Sequence, residues 1–171
     1  MIRTTVYSLI LFIFLLLIET ALLSNIVILP AVPDLMLIAL LFISINNGSL
    51  EGETSGFLSG LFLDFMSAAP LGLNCLLRTI LGFVTGLFHN ILNVSGIFIP
   101  ALLVFLATIL KAFLLKIISF FFPSGIITYS ILSVEFLTEL ILNTVLAPLI
   151  FSLLSLFSSF LTQKKGQSDI R

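Results

Sequence analysis

Ionisable side chains are scarce in this chain, and most fall inside or beside apolar runs. Glu19, Asp64, Glu135 and Glu139 supply carboxylates, Asp34 sits where a helix starts, and Arg78, Lys111 and Lys116 supply cations. In such surroundings these groups can exchange protons, line a transport path or tie helices together by ion pairing. Two stripes carry them. Gly52, Gly56, Gly60 and Asp64 repeat every four residues, which on a helix sets three bare positions and one carboxylate on a single face. Glu135, Glu139 and Asn143 repeat at the same interval. Spacing alone does not gather the acids around one cavity. There is no glycine-rich phosphate loop ending in GK[ST] and no HExxH, so no enzyme, cofactor or metal site is expected. His89 has no companion ligands and reads as an interfacial residue. Cys75, the only cysteine, reads as a small core residue and excludes an internal disulfide.

The surroundings of these residues decide what solvent they meet. Of 171 residues 60% are apolar and only 9% charged, with 18 phenylalanines, far from the roughly 25% charged residues of soluble domains. Several runs approach the roughly 20 residues that cross a bilayer, so an integral membrane protein is expected. A net charge of −1 offers no basic surface for nucleic acid. The start, MIRTT followed by an apolar run, resembles a secretion signal. It reaches Glu19 without a small-x-small cleavage site, so it is read as the first membrane helix.

Six segments must position the charges. The first runs from about Thr5 to Ser24. Pro30, Pro33 and Asp34 then open a second helix reaching about Asn47, with Asp34 able to cap its amides. After a brief loop, NNGSLEGE, the glycine stripe occupies a third helix from Gly52 to Ala69. Pro70 and Gly72 make a compact turn into a fourth helix, Leu71 to Phe88, which holds Arg78 and a second close pair, Gly82 and Gly86. A reversal centred near Pro70 to Leu71 puts Asp64 and Arg78 at comparable depth, so the two are expected to pair; the alternative is that each reaches headgroups separately. The fifth segment, Ile97 to Phe120, carries Lys111 and Lys116. The sixth starts between Ile127 and Ser133 and reaches Leu161, with Pro148 bending or dividing it. Folding about Gly125 sets Lys116 near Glu135 and Lys111 near Glu139 as ion pairs, against the alternative of lysines and glutamates reaching an interface independently.

These segments make residues 1–162 an all-α integral membrane domain, a compact bundle of six transmembrane helices, with 163–171 as a cytoplasmic polar tail. Arg3 at one end and Lys164, Lys165 and Arg171 at the other favour two cytoplasmic termini, which an even number of crossings satisfies. The basic tail can also approach anionic membrane lipids.

Two stretches, PDLMLIALLFISINNGSLEGETSGFLSGLFLDF and PLGLNCLLRTILGFVTGLF, together resemble the MreD family of bacterial rod-shape-determining membrane proteins. The match consists of a Pro-Asp start to helix two, a glycine-rich helix ending in Asp, a Pro-Leu-Gly turn and a following helix with close glycines. Pro33, Asp34, Gly52, Gly56, Gly60, Asp64, Pro70, Gly72, Gly82 and Gly86 carry it; Lys111, Lys116, Glu135 and Glu139 lie outside it. The resemblance implies a non-enzymatic inner-membrane subunit of the cell-elongation machinery. Such a subunit stabilises MreC and is functionally coupled to MreB filaments, RodA and a class B penicillin-binding protein in peptidoglycan synthesis. It also implies a fold similar to the membrane substrate-binding component of energy-coupling vitamin transporters, which makes transport of a small molecule the alternative function.

Overall fold

The computed structural model of the protein describes residues 2–21, 30–67, 69–92, 94, 96–121 and 133–162. Among these, every regular element is helical: α1 (Ile2–Ala21), α2 (Leu35–Asn47), α3 (Ser49–Met66), α4 (Leu73–Gly86), α5 (Phe98–Phe121), α6 (Val134–Leu156) and a single turn, α7 (Ser158–Leu161). The expected turn about Gly125 and the tail at 163–171 lie outside the described residues.

Three helices are long and apolar enough to cross a membrane by themselves, over Thr4–Ala21, Phe98–Phe120 and Val134–Leu156. They leave large side chains such as Phe14, Leu102 and Leu149 exposed, as a lipid-facing surface requires. α2 does something else. Its LMLIALLFISI run shows no polar face, and Met36 through Ile45 are all buried. A helix apolar all round is stable only inside other protein or in lipid, and α2 occupies the centre, touched by α1, α3, α4, α5 and α6. Phe12, Leu81, Val104, Ala147 and Phe151 complete the core around it.

α3 and α4 form the most extensive helix pair. The loop ahead of α3 is shorter than NNGSLEGE suggested: Gly48 alone, at φ 95°, separates α2 from α3. Only glycine adopts that backbone cheaply. α3 therefore starts at Ser49 and takes Glu51 into the interior, where it is 1% exposed and accepts a hydrogen bond from Thr5 Oγ1 at 2.9 Å. The division expected at Pro148 falls elsewhere. α6 runs through Pro148 as one element and breaks at Phe157. A proline costs a helix one backbone bond, which neighbouring groups in a membrane bundle can offset.

Candidate functional site

Local sequence explains how the α3–α4 hairpin is built. A Cβ added at Gly52 would strike the Gly82 carbonyl, one at Gly56 the Arg78 carbonyl, and one at Gly60 the Asn74 carbonyl and Cys75 backbone, all closer than 3.0 Å. Gly82 faces Gly52 in return, and Gly86 faces Gly48 and Ser49. Both glycine stripes are therefore used, and backbone lies directly on backbone.

This register corrects the expected Asp64–Arg78 pair. The facing residues place the reversal at Ser67, ahead of Pro70, so Asp64 lies at the mouth of α4 while Arg78 sits opposite Gly56, about two turns deeper. Asp64 instead accepts backbone N–H groups from Gly72 at 2.9 Å, Asn74 at 3.0 Å and Cys75 at 3.2 Å, and the Asn74 side-chain amide at 2.9 Å. The first amides of a helix have no partner within it, and a carboxylate there meets the positive end of the helix dipole. Gly72, at φ 93°, and the turn bond from Leu73 N–H to the Pro70 carbonyl present those amides to it.

Arg78 turns to Asp34, with Nη2 2.7 Å from Oδ1. Lys111 Nζ stands between two acids, 2.7 Å from Asp34 Oδ2 and 2.7 Å from Glu139 Oε1. Asp34 also caps α2 by accepting the Leu37 N–H at 2.8 Å. Its own N–H, just after Pro33, donates to Asn143 Oδ1 at 2.8 Å, and Asn143 Nδ2 donates to Thr108 at 3.3 Å. The side chains are 4% exposed for Arg78, 7% for Asp34, 12% for Glu139 and 21% for Lys111. Two acids and two bases thus alternate along a buried chain that joins the start of α2 to α4, α5 and α6. Alternation is what makes the arrangement tolerable, because an unpaired charge in hydrocarbon costs several kcal/mol while each of these has an opposite neighbour. Glu19 approaches the same end of α2 from α1, at the Met36 amide. Glu19 Oε2 and Arg78 Nη1 are buried atoms without a hydrogen-bond partner.

Of the two pairings expected between α5 and α6, the structure brings Lys111 and Glu139 together and leaves Lys116 and Glu135 apart. Both of the latter are exposed, and no ion pair joins them among the described residues. Asp34 was expected only as a cap, and its role as hub was missed. Its two cations come from helices 44 and 77 residues away, a distance that periodicity cannot bridge. Asn143 falls on the stripe its spacing from Glu139 marks, and Thr108, which it meets, could have been found one turn from Lys111 on the same face. Nothing in the sequence singled out Glu51.

Chemically this is a set of clasps. The acids at its centre are matched to cations, and the described residues contain no group of His, Cys, Asp and Glu that would hold a metal. Comparison with curated proteins and with solved structures finds no significant match. The model of the family described as rod shape-determining protein MreD matches residues 1–157, and the chain belongs to that family.

Proposed function

We propose that this protein is a six-crossing inner-membrane platform of the elongation machinery, holding MreC and helping to couple MreB filaments to peptidoglycan synthesis by RodA and a class B penicillin-binding protein. The observation that carries the reading is the family match over residues 1–157. The geometry suits it: a glycine-packed hairpin and a buried ion-pair chain fix the relative positions of helices, which is what a partner surface needs. In the six-crossing arrangement α2, α3 and α4 traverse with the long helices, their short apolar lengths accommodated by burial in the bundle. Both termini are then cytoplasmic.

Transport of a small molecule, the alternative, would draw support from Asp64, Arg78 or the Glu135 and Glu139 stripe facing an accessible cavity. Asp64 and Arg78 are buried and bonded to protein partners, Glu139 is paired with Lys111, and Glu135 is exposed. Purification of the full chain from its native envelope in mild detergent tests the two readings together. Recovery of MreC is expected; recovery of a transporter ATPase with a coupling subunit would overturn the platform.

A further inference from the structure

At the end of the bundle where α2 stops and α5 begins lies a cavity of about 660 Å³, within the range of small-ligand sites and separate from the ion-pair chain. Its floor holds Phe42 and Phe151, packed edge to face with centroids 5.3 Å apart. Three polar side chains on its wall have already turned a donor to the backbone. His89 Nδ1 lies 2.8 Å from the Ile45 carbonyl, which can only accept, so in the neutral ring Nδ1 carries the hydrogen and Nε2 presents a lone pair. Asn46 Nδ2 donates to the Phe42 carbonyl at 2.7 Å, which directs its Oδ1 elsewhere. Ser155 Oγ donates to the Ser152 carbonyl at 2.6 Å and keeps its lone pairs. The wall thus offers acceptors from three different elements, and among the described residues no charged one lines it. Beside it, Ile91 is 71% and Phe98 88% exposed, so the mouth opens at the lipid boundary.

We propose that this cavity binds a primary ammonium group, whose N–H donors meet His89 Nε2, Asn46 Oδ1 and Ser155 Oγ. An ammonium brings three donors and no acceptor, so it meets these three acceptors together where a hydroxyl, with one donor, meets one; Asn90, Ser152 and Ser158 in the same lining add donors of their own. Among the described residues the lining holds no carboxylate, so a cation that brings its own anion fits it, as the headgroup of phosphatidylethanolamine does. A free amine carries the same donors, and the test separates the two sources. The inference does not depend on the platform reading.

His89 is the only histidine, so full-length protein labelled with ¹⁵N-histidine gives one imidazole to observe. It is placed in nanodiscs of phosphatidylcholine, which has the same charge as phosphatidylethanolamine but no N–H donor, and compared with nanodiscs containing phosphatidylethanolamine, with nanodiscs containing phosphatidylglycerol and with phosphatidylcholine nanodiscs plus free ethanolamine. A shift of the Nε2 resonance with phosphatidylethanolamine alone identifies a lipid headgroup; a shift with ethanolamine identifies a free amine. Asn46→Leu, whose histidine still reports, should weaken the response about tenfold, the loss of one charge-assisted hydrogen bond. Thermal unfolding in phosphatidylcholine checks that the variant is folded. An unchanged resonance under both amines, or a shift produced only by the hydroxyl-bearing phosphatidylglycerol, would overturn the proposal.

Discussion

Asp34 illustrates how one carboxylate can serve a local and a global purpose at once. One oxygen caps α2 and receives Arg78, the other receives Lys111, and the backbone N–H of the same residue reaches Asn143. Removing it leaves Arg78 without its acid and Lys111 with Glu139 alone, whereas removing Glu139 leaves Lys111 paired with Asp34 and does not touch Arg78. Asp34→Ala should therefore lower stability by about 3–5 kcal/mol, the range for breaking a buried pair, and Glu139→Gln by clearly less, as read by reversible unfolding in mixed micelles. Equal losses would mean that Asp34 is not the hub. Asp64 and Arg78 make the complementary case. They share no partner, so Asp64→Asn and Arg78→Gln should add to within about 0.5 kcal/mol in a double-mutant cycle, while Asp34→Asn and Arg78→Gln should couple by more than about 1 kcal/mol. Strong coupling of Asp64 to Arg78 would restore the pairing that the hairpin register removes.

Among the elements, the α3–α4 hairpin was the most legible in the sequence, because glycines at every fourth position leave few alternatives to close helix contact. The contacting face followed from spacing, but the register did not. Pro70 and Gly72 marked a turn, and the sequence gives no sign that Ser67 rather than Pro70 is its centre, since only the facing carbonyls determine that. The same limit applies to α5 and α6. One of the two expected ion pairs forms, the other does not, and the connection that would discriminate them carries no local signal. The start of α2 is legible from its cap at Asp34 and its end from Asn47, whereas α3 begins at Ser49, ahead of the expected Gly52, because Gly48 alone makes the loop. The glycine face has a direct test. Gly56→Leu would drive a side chain into the Arg78 and Thr79 backbone, whereas neighbouring Phe57 is 50% exposed and Phe57→Leu should be tolerated. Recovery of the proposed complex with MreC, and thermal stability in detergent, should fall sharply for the first and little for the second. Equal recovery would separate the glycine face from assembly.

For the whole molecule, the proposed six crossings put the α3–α4 turn and the α4–α5 loop on opposite sides of the membrane. Leu71 and Ile91 are 75% and 71% exposed, and the native Cys75 is buried, so single cysteines introduced at those two positions report with little background. A membrane-impermeant maleimide applied to intact spheroplasts should label Leu71→Cys and reach Ile91→Cys only after permeabilisation. Labelling of both from outside would exclude the arrangement.

The central place of α2 also has a consequence for biogenesis. A ribosome delivers Asp34 to the membrane well before Arg78, and Lys111 later still, so the acid must wait in a half-made protein without its counter-charges. Nascent chains arrested after residue 97 would hold Arg78 but lack α5 and α6, and they should be cleared by quality-control proteases faster than full-length protein. Co-expressing the missing half as a separate polypeptide should protect them, because the second of the two cations arrives with it.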